Sequence, residues 1–158
     1  ITLKIKNDTV NNYLWILQKC FHIALIKPYS TNLRKELTKM PKVYLMDCGL
    51  RNAMLNNFDG LHIREDKGSL FENMFFRSLR ERYNWDNIHY WRTADGNELD
   101  FVIDEATHQL GFEVKYDSAT IKPSKYKKFT SLYPNIPIHF ISFEPFSESF
   151  FRQFNTYE

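Results

Sequence analysis

Glu98 and Asp100, and further on Glu113 and Lys115, are pairs of charged residues two positions apart inside apolar runs. Side chains alternate along a β-strand, so Glu98 and Asp100 share one face, opposite Leu99, Phe101 and Ile103. By the same rule Glu113 and Lys115 lie opposite Phe112, Val114 and Tyr116. If the two strands are neighbours, two or three carboxylates and one ammonium converge. Oxygen donors of this kind suit a hard divalent cation, Mg²⁺ or Mn²⁺, with water completing the shell. Such an ion polarises a phosphodiester and lowers the pKa of bound water. Lys115 would orient or deprotonate the attacking water, or neutralise charge in the transition state. The competing reading makes Glu113 and Lys115 an exposed ion pair worth about 0.2–1 kcal/mol. A second acid-x-Lys triplet, Glu65-Asp66-Lys67, lies in a polar stretch and reads as a solvated helix entry.

Periodicity supplies the elements that hold these residues. Leu70, Phe71, Met74, Phe75, Leu79 and Tyr83 mark one face of a helix over residues 67–83. Strand-like runs follow over 87–93, 98–103 and 110–116. The first two are joined by Ala94-Asp95-Gly96-Asn97, whose Asp-Gly pair predicts an antiparallel hairpin. Pro123 suits the first turn of a helix over 123–132, and residues 136–143 read as a buried strand. The order from Lys67 is α-β-β-β-α-β. Nearer the start, Val10, Tyr13, Leu14, Leu17 and Phe21 recur at helical spacing over 9–21, with Asp8 as N-cap. Residues 23–29 and 42–46 are β-prone and flank a polar, basic stretch over 30–39. A helix packed on such a long-looped hairpin has the form of a winged-helix tail, whose first helices would have to lie before Ile1.

The chain has 158 residues, 43% hydrophobic and 25% charged, enough apolar material for a soluble globular core without disulfides or a structural metal. Two cysteines, no secretory signal pattern and no apolar run near 20 residues predict a cytoplasmic protein without a membrane segment. The first residue is Ile1 rather than Met, so a piece of a longer protein is expected. Charge is uneven: residues 1–46 hold eight basic and two acidic residues, the remainder 13 basic and 17 acidic. A basic first part is suited to a polyanion, and Arg34 and Lys35 in the polar loop are candidate nucleic-acid contacts. Arg92, Lys122 and Lys125 are further candidate phosphate contacts. Pairing of Arg92 with Glu98 or Asp95, and a merely solvated lysine face over Lys122, Lys125, Lys127 and Lys128, are the alternatives.

In this order the residues resemble the PD-(D/E)XK nuclease superfamily, an α/β restriction-endonuclease-like fold with an α-β-β-β-α-β core. More closely, Gly68-Ser69-Leu70-Phe71-Glu72, Tyr90-Trp91-Arg92, Glu98-Leu99-Asp100-Phe101-Val102-Ile103 and Glu113-Val114-Lys115 resemble the C-terminal domain of unknown function of prokaryotic AAA-type ATPases. Thr9 to Leu14 and Pro41 to Leu50 resemble the winged-helix tail preceding it. The resemblance implies a partial winged-helix-like segment over 1–46 and a nuclease-like domain over 47–158. It makes Asp100 and Glu113 metal ligands, Lys115 the catalytic lysine and Glu72 an auxiliary acid; a structural bond from Glu72 to Trp91, Arg92 or a backbone amide is the alternative. Leu99 replaces the proline of the family signature. No Gly-x-x-x-x-Gly-Lys-Ser/Thr occurs, so no ATP site is expected within the chain. Two functions follow: a Mg²⁺-dependent DNA phosphodiesterase, or an inactive nuclease-like module that docks DNA or a protein partner for a covalently linked ATPase.

Overall fold

A computed structural model of the chain describes residues 5–30 and 40–143. Six strands form one mixed sheet in the order β2-β1-β3-β4-β5-β6: β1 (Ile23–Pro28), β2 (Lys42–Leu45), β3 (Ile88–Arg92), β4 (Glu98–Asp104), β5 (Gln109–Lys115) and β6 (Ile138–Ser142). The α-helices of the described residues are α1 (Asn7–Lys19), α2 (Cys48–Leu55), α3 (Lys67–Arg82) and α4 (Lys127–Leu132). No helix among them is long and apolar enough to cross a membrane. Cys20 and Cys48 are free.

The centre of the sheet is buried on both faces, so β4 and β5 are apolar along most of their length. On one face Phe71, Phe75, Phe76 and Leu79 of α3 pack on Ala24, Ile26, Tyr44, Phe101, Ile103, Phe112 and Val114. On the other, Tyr126 and Phe129 pack on Trp91, Leu99 and Val102. The helix expected over 123–132 is a 3₁₀ turn (Pro123–Tyr126) leading into α4. The β3–β4 connection is the expected Asp-Gly hairpin, and Gly96 adopts the left-handed φ of 86° that its turn requires.

The hairpin of β1 and β2 is antiparallel as expected, but it is not a free wing. β1 also pairs in parallel with β3, so the sheet runs without a break across the boundary drawn between residues 46 and 47. Asn73 ties α3 to the same hairpin, its amide bonding both the N–H (2.9 Å) and the C=O (2.8 Å) of Leu45. Apolar strand faces have one sheet available to them, and joining it satisfies backbone groups that a detached hairpin would leave to water.

Two local expectations are corrected. Lys6, not Asp8, is the N-cap of α1, and Asp8 lies in the first turn, where its charge still favours the helix start. The apolar face of α1 is present but not covered: Val10, Tyr13 and Leu17 are 41%, 61% and 39% exposed, and α1 has no buried residue. Periodicity reports an apolar stripe, not what lies against it. α2, which the periodicity did not reveal, is started by Asp47, whose carboxylate accepts the Leu50 N–H at 2.6 Å.

Candidate functional site

The β4–β5 ladder runs from Asp104↔Gln109 to Phe101↔Phe112. Beyond that pair Asp100 Oδ2 accepts the Val114 N–H at 2.9 Å, a side chain standing in for the next rung. Glu113, Val114 and Lys115 continue on β6, opposite Phe140, Ile141 and Ser142. The charged residues of both strands therefore meet at a fork in the sheet. On the other side of β4, His89↔Val102 is followed by Trp91↔Leu99, so two steps along β3 match three along β4. This bulge falls at Asp100 and Phe101. It breaks the expected alternation: Leu99 joins the α4-side core, whereas Phe101 and Ile103 join the α3 side. Bulges re-aim side chains, and this one sends Asp100 toward α3.

Two lysines and four carboxylates share the fork. Lys42 Nζ pairs with Glu98, with Glu72 Oε1 at 3.3 Å and with Asp100 Oδ1 at 3.7 Å. Tyr44 OH donates to the same Glu72 oxygen at 2.5 Å. Lys115 Nζ pairs with Glu113, lies 3.8 Å from Asp100 Oδ2 and donates to the Val114 carbonyl at 3.2 Å. The Glu113 side chain is 3% exposed, and its Oε2 accepts no hydrogen bond within the described protein. Tyr126 approaches the same carboxylate. Burial first, then its hydrogen-bonding interaction with Glu113, holds its phenol well above the usual range.

The electrostatics follow from an excess of acid in a dry place. Burial pushes the Asp100 carboxyl up to about 7; Glu72 and Glu113 add to the rise, while Lys42 and the Val114 N–H oppose it. Burial alone would lower both lysines. Glu72, Asp100 and Glu98 outweigh it at Lys42, and Glu113, Asp100 and Glu72 at Lys115, so both are raised. Lys115 therefore stays protonated at neutral pH, and as placed it serves as a hydrogen-bond donor and positive charge rather than as a base.

The fork thus gathers Glu72, Asp100, Glu113 and Lys115. Glu72 bonds Tyr44 and Lys42 rather than Trp91, Arg92 or a backbone amide. Glu113 and Lys115 are paired, but the burial of Glu113 means this is not an exposed surface pair. Arg92, with its side chain 59% exposed, pairs with Glu98 at 3.3 Å, as the structural alternative expected. Lys122 and Lys125 are exposed and precede Tyr126, while Lys128 pairs with Asp95 at 2.7 Å. Arg34 and Lys35 lie outside the described residues.

Lys42 and Tyr44 were not anticipated as site residues. Their signal was the period-two spacing of a cation and a phenol on β2, but nothing in the local sequence shows that β2 faces Glu72. Carboxylate oxygens suit a hard cation, and the unpartnered, buried Oε2 of Glu113 fits such a group. Among the described residues, no three His, Cys, Asp or Glu side chains stand together as a metal-holding group.

Residues 67–144 match the family model of a domain of unknown function, DUF4143, and residues 2–60 that of a second, DUF8612. The first match holds α3 and β3 to β6 with Glu72, Asp100, Glu113 and Lys115; the second holds Lys42 and Tyr44. An uncharacterised protein of Mycobacterium tuberculosis and one of Mycobacterium bovis are each 27% identical over 119 residues, covering 74% of this chain. The chain matches about a quarter (27%) of the length of these relatives. No solved structure matches it.

Proposed function

We propose that the fork is the active site of a metal-dependent phosphodiesterase acting on DNA, within a C-terminal module of an AAA-type ATPase. The observation that carries the reading is the buried Asp100–Glu113–Lys115 group on adjacent strands, where burial, then like charge, drives one acid up and another has an oxygen without a hydrogen-bond partner. The α3-β3-β4-β5-α4-β6 order, with β3 to β5 antiparallel and β6 parallel to β5, supports a restriction-endonuclease-like core. The match to DUF4143 supports the ATPase context.

Asp100 and Glu113 would hold a divalent cation, which when bound supplies positive charge against the scissile phosphate. The protein's own groups do the rest. Lys115 donates a hydrogen bond toward the attacking water or a phosphate oxygen, and its charge opposes the negative charge that develops. Water attacks phosphorus, the P–O bond to one neighbouring sugar breaks, and the departing oxygen takes up a proton. Asp100 is fixed by the Val114 N–H and Glu72 by Tyr44, so neither must be ordered when substrate arrives. Arg92 flanks the fork through Glu98, and Lys122 and Lys125 through Tyr126, as phosphate contacts that make binding salt-sensitive.

The test is cleavage of labelled single-stranded, duplex and branched DNA with Mg²⁺ or Mn²⁺, beside folded Asp100→Ala and Glu113→Ala proteins. Cleavage by the wild type that both variants lose supports the reading; cleavage that both retain, or none by the ATPase-containing full chain, overturns it. The second reading, a module that docks DNA or a protein partner without cutting, is favoured by Lys42, whose single ammonium already pairs with three of the acids.

A further inference from the structure

Lys42 comes from β2, three strands away from β4 in the sheet, yet its ammonium pairs with Glu98, Glu72 and Asp100. It reaches them past Tyr90, lying 5.6 Å from the centre of that ring. An ordinary surface lysine would stay in water, and this side chain is only 23% exposed. Lys115 is held differently, two residues from Glu113 on one strand and anchored to the Val114 carbonyl. Of the two cations, Lys42 alone links acids of α3 and β4.

The acids outnumber the lysines by two, and a divalent ion competes for the same oxygens. While Lys42 is seated, Glu72, Glu98 and Asp100 are turned to one ammonium, and no ready metal-holding group exists among the described residues. The buried Glu113 Oε2 remains unpartnered on the other side of the fork. Lys42 also lines an open pocket with Tyr44, Arg51, Ser69, Glu72 and Asn73, which gives its ammonium a place to move.

The geometry points to Lys42 as the resident cation of the fork, a latch that a divalent ion must displace in order to bind. The inference rests on the metal-dependent reading above and adds regulation to it: loading the site frees the end of β2 from the acids of α3 and β4. Whatever holds β2 in place thereby opposes metal binding, and whatever moves it favours loading.

The test uses Mn²⁺ alone as the probe, followed by titration calorimetry on the wild type, Lys42→Met and Lys42→Arg, each shown to be folded by circular dichroism. Lys42→Met is expected to bind Mn²⁺ about tenfold tighter or more, and Lys42→Arg within about threefold of the wild type, because only the first removes a charge that the ion must oppose. Lys42→Gln replaces Lys42→Met if the latter does not fold. In the wild type, Mn²⁺ should also raise the rate at which Lys42 is acetylated by acetic anhydride, read by mass spectrometry. Equal or weaker binding by Lys42→Met overturns the latch and leaves the metal site standing. Unchanged acetylation on Mn²⁺ binding overturns displacement. Absence of Mn²⁺ binding in wild type and variants alike overturns the latch and the metal reading together.

Discussion

Asp66 and Asp100 each face two cations, and their carboxyl groups are displaced in opposite directions. Asp66 receives Arg64 through both oxygens at 2.8 and 2.9 Å, and Arg51 at 2.6 Å. These bonds hold it well below the usual carboxylate range. Asp100 has Lys42 and Lys115 no closer than 3.7 and 3.8 Å, and its neighbours include Glu72 and Glu113. Burial and like charge win there, and the group rises to about 7. The cations of the first cluster outnumber its acid and meet it in bidentate geometry, which suits a strut between α2, α3 and the loop joining them. The second cluster has more acid than it can neutralise, which suits a site awaiting positive charge.

The largest expected effect separates the two by activity. Asp100→Ala or Glu113→Ala should lower metal-dependent cleavage by roughly 10²- to 10³-fold or more, while Asp66→Ala leaves cleavage per folded molecule unchanged. If a gel-based cleavage assay showed equal losses for all three, the distinction would collapse.

Melting curves sharpen the contrast next. The folded pKa of Asp100 lies above its unfolded value, so its contribution is fully present below about pH 4 and is lost as pH rises through about 7. Asp100→Asn does not titrate and should melt several degrees above the wild type at pH 8, with the gap closing toward pH 4. Asp66 is lowered, so the opposite holds. Asp66→Asn should melt below the wild type at neutral pH, the deficit fading as acid protonates Asp66. A pH series of the two variants that moved the same way would contradict the assignment.

Smaller effects lie at the margins. Tyr44→Phe removes a hydrogen bond to a Glu72 side chain that is 26% exposed, and chemical denaturation should register a loss of about 1 kcal/mol. Lys128→Ala breaks an exposed pair with Asp95 and should leave the melting temperature within about a degree.

Much of the site was legible because its residues lie close together in sequence or on strands joined by a short turn. Asp95-Gly96 pairs β3 with β4, and the period-two spacing of Glu113 and Lys115 stands out in an apolar run. The convergence of Glu98, Asp100, Glu113 and Lys115 followed from those local signals. Its route did not, since it passes through a bulge at Asp100 and Phe101 and a ladder that ends at Phe112. Lys42 read as one member of a basic first segment, because charge counting cannot see that β1 joins β3 and carries β2 with it. The exposure of α1 was hidden for the related reason that an amphipathic pattern does not name its partner.

Sequence by itself determined most of the elements over 67–143, the acids and lysine on β4 and β5, and an apolar content sufficient for a core. Those properties are set by backbone preference and by the periodicity of apolar side chains, which act over a few residues. Tertiary structure alone decided that Lys42 and Tyr44 meet Glu72, that Asp100 is buried among rival acids, and that Asp66 is not. Solvation and Coulomb interactions depend on distances in space, and here those distances join residues 28 to 58 positions apart in the chain.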